Sequence, residues 1–391
     1  MLLRWGRSLL ESRHRTPLRM SESGCTVNTT DEMHPLQSPS MAPTQKELAK
    51  LAGVSAGTVS NVINGVPGVS EAARAKVLAA IEKLHYRPNL IARSLRTNRT
   101  HTLGIVVPDI TIPFFPRIIR GAESAAREAG YFLIVLDSEN DHDRETAMLE
   151  LLHSQRSEGT LLVAAGGHQW LPEAAAAITA QSPLVCLDRL PEGLAVDSVC
   201  VDDPRAAAMA VSHLVERGHR EIAVVTGPLT LRNEQARLRG YRTAMQHHGL
   251  QVRERLVWQA GFQPAEIDRV CQVGFLGQRG DRPTAIFATN GVTGLHTLKS
   301  LAALGLETPR DIAFVCFDEL NPEELFRPGI TTVVQPAFEI GSRAVQVLLR
   351  RIRSNGADVR LEKVRLPAML VVRESSSAQY STGRRRDRHR E

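Results

Sequence analysis

The stretch TQKELAKLAGVSAGTVSNVING, residues 44–65, holds two short helical patterns separated by a glycine. Thr44 and Glu47 form a capping-box pattern, in which each side chain can bond the backbone amide of the other at a helix start. Apolar residues then recur at the three-to-four spacing of one helix face: Leu48, Leu51 and Ala52. These features predict a first helix over 45–52.

Gly53 follows this helix and predicts a tight turn, after which Ser55 can cap a second helix over 56–63. Ser70 is the expected cap of a third helix, whose apolar face closes a three-helix core through Val77, Ile81 and Leu84. Two short helices joined by a glycine turn are typical of a helix-turn-helix, although each helix alone also fits an ordinary amphipathic bundle.

Charge is distributed unevenly along the chain of 391 residues, which has a net charge of +6. Residues 42–100 carry nine Lys and Arg against three acids, whereas residues 101–372 carry 28 basic and 32 acidic residues. A basic segment on an acidic body is typical of a nucleic-acid-binding head attached to a core with another task. A merely soluble surface would not explain this division.

Two further patterns carry a family resemblance: GVSAGTVSNVIN at 53–64 and YRPNLIARSL at 86–95. In this order and spacing they resemble the start of a LacI/GalR-family transcription regulator, and the resemblance extends over about residues 44–372. It implies an N-terminal all-α helix-turn-helix headpiece on an α/β core of two parallel-sheet lobes, similar to a periplasmic binding protein. It also implies sequence-specific binding of double-stranded DNA.

Matched by position, the resemblance implies that the hydroxyl and amide side chains of the second helix contact phosphates, and that Ala56, Gly57 and Asn61 face bases. Asn61 suits a bidentate pair with adenine, and small neighbours let the helix sit deep in the major groove. A solvated polar residue is the alternative for Asn61. Leu95 of a hinge over 88–100 is expected to wedge into the minor groove, unless this segment is a plain linker. The remaining predicted DNA contacts are Thr44, Ser55, Thr58, Ser60, Asn64, Asn89 and Ala92.

From residue 103 onward, short apolar runs alternate with helical stretches, which predicts parallel sheets with covering helices. The predicted strands are LGIVVPD, YFLIVLDS, GTLLVAA, PLVCLD, SVCVDD, EIAVVTG, AIFATN and IAFVCFD. The layout of strand and helix around the first of these strands is repeated around the sixth, and this internal repeat indicates two similar lobes with a cleft between them. The predicted lobes comprise about 101–198 with 335–352, and about 199–334 with 353–372.

The resemblance places an effector in this cleft, near the carboxyl ends of the strands. Carboxylates, an amide, guanidinium groups and an aromatic ring suit a polyhydroxylated ligand, so a carbohydrate is expected and no cofactor. Phe115 is the ring expected to stack on it, and each residue could instead serve a salt bridge or a dimer contact. The candidates are Phe114, Phe115, Arg189, Asp202, Arg237, Asn290 and Asp318.

Other function classes are disfavoured. No phosphate-binding loop, nucleophile elbow or zinc-protease motif occurs, and five scattered cysteines predict neither a metal site nor disulfides. No export signal or membrane span is predicted, so we expect a cytoplasmic protein that is nucleoid-associated through DNA. A solute-binding protein and an architectural DNA-binding protein remain as alternatives.

We therefore predict an allosteric repressor, not an enzyme, that binds a pseudo-palindromic operator as a homodimer, with a tetramer left open. Whether the effector induces or corepresses is not determined. Residues 1–41 are expected to be a disordered extension with the natural start near Met41, residues 42–87 the headpiece, and residues 373–391 a basic disordered tail.

Overall fold

The computed structural model describes residues 43–63, 65–86, 99–166, 182–191, 193–276, 282–320, 327–354 and 360–376. The chain forms two compact units, Met1–Pro88 and Asn89–Glu391, and each is described by itself. Several predictions lie outside the described residues: those for the extension 1–41, for Asn64, for Asn89, Ala92 and Leu95 in the hinge, and for the tail beyond residue 376.

The first unit contains three helices, α1 (Gln45–Ala52), α2 (Ala56–Ile63) and α3 (Glu71–Lys83). The capping box is formed, because the Glu47 amide donates to the Thr44 hydroxyl at 3.3 Å and the Thr44 amide donates to the Glu47 carboxylate at 2.7 Å. Gly53 ends α1 with a φ of 64°. The buried core consists of Leu48, Ala49, Ala52, Val59, Val62, Val77, Ala80 and Tyr86. The predicted helices and cap are therefore confirmed.

The second unit contains two six-stranded sheets covered by helices. The strands are β1 (Thr102–Val107), β2 (Phe132–Asp137), β3 (Gly159–Leu162), β4 (Leu184–Leu187), β5 (Asp197–Val201), β6 (Ile222–Thr226), β7 (Val257–Gln259), β8 (Ala285–Ala288), β9 (Ala313–Phe317), β10 (Thr331–Val334), β11 (Lys363–Leu366) and β12 (Met369–Val371). The helices are α4 (Phe114–Glu128), α5 (His142–Ser154), α6 (Asp203–Glu216), α7 (Arg232–His247), α8 (Pro264–Phe275), α9 (Gly291–Ala303) and α10 (Ala337–Arg353).

The two sheets share one topology, with strand orders β11-β5-β4-β3-β1-β2 and β12-β10-β9-β8-β6-β7. Among the described strands every pairing is parallel except β10 with β12. In register, Ile105 of β1 lies between Val135 of β2 and Leu161 of β3. The predicted fold class is confirmed. We call the β1 sheet with α4, α5 and α10 the first lobe, and the β6 sheet with α6–α9 the second lobe.

Close helix contacts depend on glycine at two places. A Cβ on Gly121 of α4 would overlap the Phe338 carbonyl of α10, and a Cβ on Gly341 would overlap the Ile118 carbonyl in return. In the second lobe, a Cβ on Gly240 of α7 would overlap the Pro204 carbonyl in α6. These contacts bring α6 and α7 together beside the strand ends.

The chain crosses between the lobes at three points, after β5, after β10 and between β11 and β12. The predicted division at 198/199 falls inside β5, whose pairing with β4 and β11 keeps it in the first sheet through Val201. The predicted assignment of 353–372 to the second lobe is also corrected, because β11 pairs with β5 in the first lobe.

The core also extends past the predicted end at residue 372. Ser375 and Ser376 are fully buried, although the sequence there is polar. The Ser375 hydroxyl accepts from the Thr331 amide at 2.8 Å and donates to the Phe314 carbonyl at 2.7 Å. These bonds satisfy the buried groups, so residues 373–376 belong to the second lobe rather than to the tail.

Within the described ranges, no helix is both long and apolar enough to cross a membrane.

Candidate functional site

The first unit presents one exposed face of α2. Ser55, Ala56, Gly57 and Asn61 are exposed, while Val59 and Val62 on the opposite side are buried in the core. The residues that are predicted to read bases therefore lie on the free side of the second helix. Small side chains leave this side of the helix unobstructed.

The start of α2 is fixed by hydroxyl groups. The Ser55 hydroxyl accepts from the Thr58 amide at 3.1 Å and lies 2.9 Å from the Thr58 hydroxyl. Capping leaves these hydroxyls at an exposed helix N-terminus, where amides and hydroxyls suit a phosphate. Ser60 is half-buried beside them, and Thr44 caps α1.

The second unit contains a cavity of about 210 Å³ between its lobes. Helix α4 and the segment after β4 contribute from the first lobe; α7 and the segments after β7, β8 and β9 contribute from the second. Six of the seven predicted effector residues line it: Phe114, Phe115, Arg189, Arg237, Asn290 and Asp318. The cavity lies beside the carboxyl ends of several strands, which is where ligands bind in open α/β sheets.

Arg237 is buried at the base of the cavity, with 2% of its surface exposed. Its Nε donates to Asp203 at 2.7 Å, its Nη1 donates to the Thr289 carbonyl at 2.9 Å, and its guanidinium lies 3.8 Å from the centre of the Phe317 ring. Burial alone would lower the pKa of Arg237, but the carboxylates of Asp203, Asp318 and Glu234 outweigh it and raise the pKa. Arg237 is therefore a permanent cation.

Asp188 and Arg189 enter the cavity from the first lobe. Asp188 has a φ of 53°, a left-handed conformation that aspartate tolerates and that turns the chain sharply after β4. Asp188 Oδ1 lies 3.7 Å from Arg237 Nη2, and neither atom makes a hydrogen bond to the described residues. Arg189 Nη1 donates to Asn140 at 2.7 Å, and burial lowers the pKa of Arg189.

Asp318 follows β9 and also has a left-handed conformation, with a φ of 73°. It accepts from Gln335 Nε2 at 2.6 Å, and burial raises its pKa to about 6 despite the nearby Arg237. The next residue, Glu319, lines the cavity and pairs with Arg117 of α4, so an ion pair joins the two lobes beside the cavity.

Asn290 is fixed by two hydrogen bonds at the start of α9. Its Oδ1 accepts from the Thr293 amide at 2.9 Å, and its Nδ2 donates to Glu234 Oε1 at 3.0 Å. Glu234 in turn accepts from the Gly227 amide at 2.9 Å and from the Thr289 hydroxyl. Both side chains line the cavity, and this network keeps them rigid.

Three phenylalanine rings line the cavity, together with aliphatic side chains such as Ile112 and Leu295. Phe114 is half-buried and Phe115 is 2% exposed, with their ring centres 5.4 Å apart. The Arg189 guanidinium carbon lies 5.5 Å from the ring centres of both Phe115 and Phe262. Rings from both lobes therefore flank the polar groups.

Asp202 is the one predicted effector residue outside the residues that line the cavity. It is exposed and caps α6, because its Oδ1 accepts from the Arg205 amide at 3.3 Å. Its neighbour Asp203 is turned inward to Arg237 instead. Neither aspartate lines the cavity, and the two differ because a helix start sends adjacent side chains in different directions.

Thirteen of the described residues that line the cavity were not predicted, among them Asp188, Asn233, Glu234, Phe262 and Glu319. Asp188 ends a predicted strand, so the strand-end rule could have found it. Glu234 precedes Arg237 by one helical turn, which also places it on the same face. Phe262 follows the three-residue strand β7 and has no comparable signal in the sequence.

No group of three or more His, Cys, Asp or Glu that could hold a metal occurs among the described residues. A helix-turn-helix unit and a two-lobed core with a polar cavity together define a ligand-responsive DNA-binding protein. Residues 44–89 match the family of bacterial regulatory proteins of the lacI type, and residues 211–376 match a periplasmic-binding-protein-like domain.

Relatives extend this match over most of the chain. The ribose operon repressor of Escherichia coli (strain K12) is 35% identical over 336 residues, which cover 86% of this chain and 99% of the relative. The transcriptional repressor PurR of Aliivibrio salmonicida is 31% identical, with 81% and 95% covered. The chain therefore belongs to the lacI family of bacterial regulatory proteins; it is a DNA-binding transcription repressor with an effector-binding core, not an enzyme.

Solved structures agree with this assignment. The complex of the regulator CelR with cellobiose is 31% identical, covers 85% of this chain and 99% of its own, and has a TM-score of 0.63. A LacI-family regulator from Enterococcus faecium with bound ribose is 25% identical, covers 72% of this chain and 100% of its own, and has a TM-score of 0.62.

Proposed function

We propose that this protein is a cytoplasmic homodimeric repressor that binds a pseudo-palindromic operator, and that a small sugar in the interlobe cavity controls its DNA affinity. Two identical heads require two half-sites related by the same two-fold symmetry. The exposed face of α2 supports the DNA contacts, with Asn61 as the main reader of bases and Ser55 and Thr58 at the phosphates.

The cavity chemistry carries the proposal of a sugar effector. Arg237, Asp188 and Asp318 face one cavity, so both hydrogen-bond donors and acceptors are available in fixed positions. A sugar hydroxyl both donates and accepts, and it can therefore bridge Arg237 Nη2 and Asp188 Oδ1, which lie 3.7 Å apart. Phenylalanine rings can pack against the apolar face of the same sugar.

Size and charge narrow the ligand further. A volume of about 210 Å³ lies below the roughly 300 Å³ at which sites for drug-sized molecules begin, which favours a monosaccharide. Four carboxylates line the cavity, and a fifth, Asp203, is bonded to Arg237; only two guanidinium groups line it. This excess of negative charge disfavours an anionic sugar phosphate. The four lining carboxylates are Asp188, Glu234, Asp318 and Glu319. D-ribose is the proposed effector, since the E. coli relative is a ribose operon repressor and the Enterococcus faecium structure contains ribose.

Control of DNA affinity follows from the position of the cavity. A ligand that contacts both lobes favours one angle between them, and that angle is transmitted through the three crossing segments. The coupling free energy between effector binding and DNA binding is about 1 to 3 kcal/mol in allosteric proteins. Effector and DNA each change the affinity for the other by the same factor. An inducer favours an interlobe angle that weakens DNA binding, whereas a corepressor favours an angle that strengthens it.

The first experiment is a selection of genomic DNA fragments by the purified full chain at fixed salt, with and without D-ribose. We expect the retained fragments to share a short palindrome, and ribose to change retention by about fivefold or more in one direction. The direction identifies an inducer or a corepressor. Asn61→Ala should lose the shared palindrome, and Asp318→Asn should keep it but lose the response to ribose.

Three results would contradict parts of this proposal. Retention without a common site would indicate an architectural DNA-binding protein. A common site whose retention does not respond to ribose would contradict the proposed effector. Elution of the protein at the mass of a monomer in complex with the palindrome would exclude the homodimer.

A further inference from the structure

Two adjacent aspartates at the start of α6 have opposite environments. Asp202 is exposed and caps the helix, whereas Asp203 is 6% exposed and accepts from Arg237 Nε at 2.7 Å. Because β5 ends at Val201, Asp203 is also among the first residues after the first crossing between the lobes.

Asp203 determines how Arg237 can meet a ligand. With Nε held by Asp203, Nη1 held by the Thr289 carbonyl and the plane stacked on Phe317, the guanidinium has one orientation. Nη2 is then the nitrogen that lies toward Asp188 and the cavity. If Asp203 released Nε, the guanidinium could rotate and Nη2 could form hydrogen bonds outside the cavity.

The same contact connects the cavity to the crossing segment. Arg237 lies on α7 and Asp203 on α6, and these helices meet so closely at Gly240 that a Cβ there would overlap the Pro204 carbonyl. A force on the guanidinium therefore acts directly on the backbone that leads to Val201 and the first lobe.

Other charged groups act on Asp203 from each neighbouring element. Arg237 and Glu234 face it from α7, Asp188 faces it from the segment after β4, and the thiol of Cys200 in β5 lies near it. Burial raises the pKa of Asp203 to about 7, Asp188 and Glu234 act in the same direction, and Arg237 opposes them. Asp203 can therefore gain a proton near neutral pH.

We propose that Asp203 is a positioning residue for the effector: it directs Arg237 Nη2 into the cavity and ties that guanidinium to the first interlobe crossing. This inference rests on the proposed sugar-binding function. Asp203 does not itself line the cavity, so it acts through Arg237 rather than on the ligand.

The test compares Asp203→Asn with Asp202→Asn by titration calorimetry with D-ribose at pH 6, 7 and 8. Asparagine keeps the shape of the side chain and weakens a charged hydrogen bond, so Asp203→Asn should reduce ribose affinity about tenfold at pH 8. Asp202→Asn preserves a helix cap and should bind within about twofold of the wild type.

The pH profile separates positioning from a general structural defect. Wild-type affinity should fall several-fold from pH 8 to pH 6, because Asp203 and then Asp318, whose pKa is raised to about 6, become protonated. The ribose affinity of Asp203→Asn should remain nearly constant from pH 8 to pH 7 and should fall only toward pH 6. A variant with the affinity and pH profile of the wild type would overturn the proposal.

A second measurement without sugar distinguishes this inference from the effector proposal. Asp203→Asn, Arg237→Gln and the double variant form a cycle, in which urea unfolding measures coupling between the two side chains. We expect coupling of about tenfold or more in the unfolding equilibrium constant. Additive effects would overturn the positioning role. If the wild type fails to bind D-ribose, the proposed effector is wrong, and the cycle alone decides the role of Asp203.

Discussion

Gln335 donates its side-chain amide to Asp318 at 2.6 Å, and this bond joins a crossing segment to a carboxylate of the cavity. Gln335 lies between β10 and α10, where the chain passes from the second lobe to the first. Asp318 lines the cavity in a left-handed conformation with a φ of 73°. A ligand that bonds Asp318 therefore acts on a group already held by the second crossing.

Replacing Asp318 with asparagine should increase the stability of the fold while it weakens ligand binding. Burial raises the pKa of Asp318 from 3.8 to about 6, so the folded protein holds this proton more tightly than the unfolded chain. The contribution of Asp318 to stability is therefore most favourable at low pH. It falls as the pH rises from 3.8 to about 6 and is constant at higher pH. Asp318→Asn should therefore be more stable than the wild type at pH 8, by about 1 to 3 kcal/mol.

Urea unfolding at pH 5 and pH 8 checks this prediction, with a smaller advantage expected at pH 5. The same variant should bind D-ribose at least about tenfold more weakly, because it replaces a charged acceptor with a neutral amide. A variant that is less stable at pH 8 than at pH 5, relative to the wild type, would show that Asp318 is a stabilising ion-pair partner of Arg237 instead.

The Arg117–Glu319 ion pair between the lobes should contribute modestly to ligand affinity. Arg117 keeps 47% of its side-chain surface exposed, and exposed ion pairs stabilise by about 0 to 1 kcal/mol. Arg117→Gln should therefore weaken ribose binding by about two- to fivefold, mainly through faster dissociation. Arg120→Gln on the same helix is the matched control, and the difference between the two variants should disappear at 1 M salt because charges are screened.

Local signals in the sequence were enough to predict the headpiece. Thr44, Glu47 and Ser55 form caps with partners within three residues, so their spacing alone specifies the helix starts. The eight predicted strands correspond to β1–β6, β8 and β9, because each is a short apolar run. All of them are largely buried except β2, whose residues are half-buried or exposed. The family resemblance implied Arg189, Asn290 and Asp318 as effector residues, and all three line the cavity shortly after β4, β8 and β9.

The features that could not be predicted from the sequence depend on contacts between residues that are distant along the chain. Asp202 and Asp203 are chemically identical, and only the position of Arg237 decides which of them is buried. Four strands of three or four residues were not predicted: β7, β10, β11 and β12. A strand pattern is recognisable over about four to eight residues, so these short segments gave little local signal. Lobe boundaries failed because they depend on which strand pairs with which.

Asn61 should supply much of the base discrimination of the headpiece. It is exposed on α2, and a bidentate contact to adenine is worth about 1 to 3 kcal/mol. Asn61→Ala should weaken binding to the selected palindrome by about five- to a hundredfold while binding to random DNA stays nearly the same. Glu82→Ala on α3 is the exposed control for headpiece folding. Equal losses on both DNAs would mean that Asn61 contacts phosphate instead of a base.

Gly240 should be the more sensitive of two helical glycines in the second lobe. A Cβ at Gly240 would overlap the Pro204 carbonyl, which belongs to a rigid backbone, so Gly240→Ala must push α6 and α7 apart at a cost of about 1 to 3 kcal/mol. A Cβ at Gly291 meets its nearest neighbour, the Asp318 Cβ, at 3.7 Å, so Gly291→Ala should be neutral or slightly stabilising. Thermal unfolding of both variants measures the contrast. Because the displaced Pro204 follows Asp203, Gly240→Ala should also weaken ribose binding, whereas an unchanged affinity in a destabilised variant would show that α6 and α7 can separate without moving Arg237.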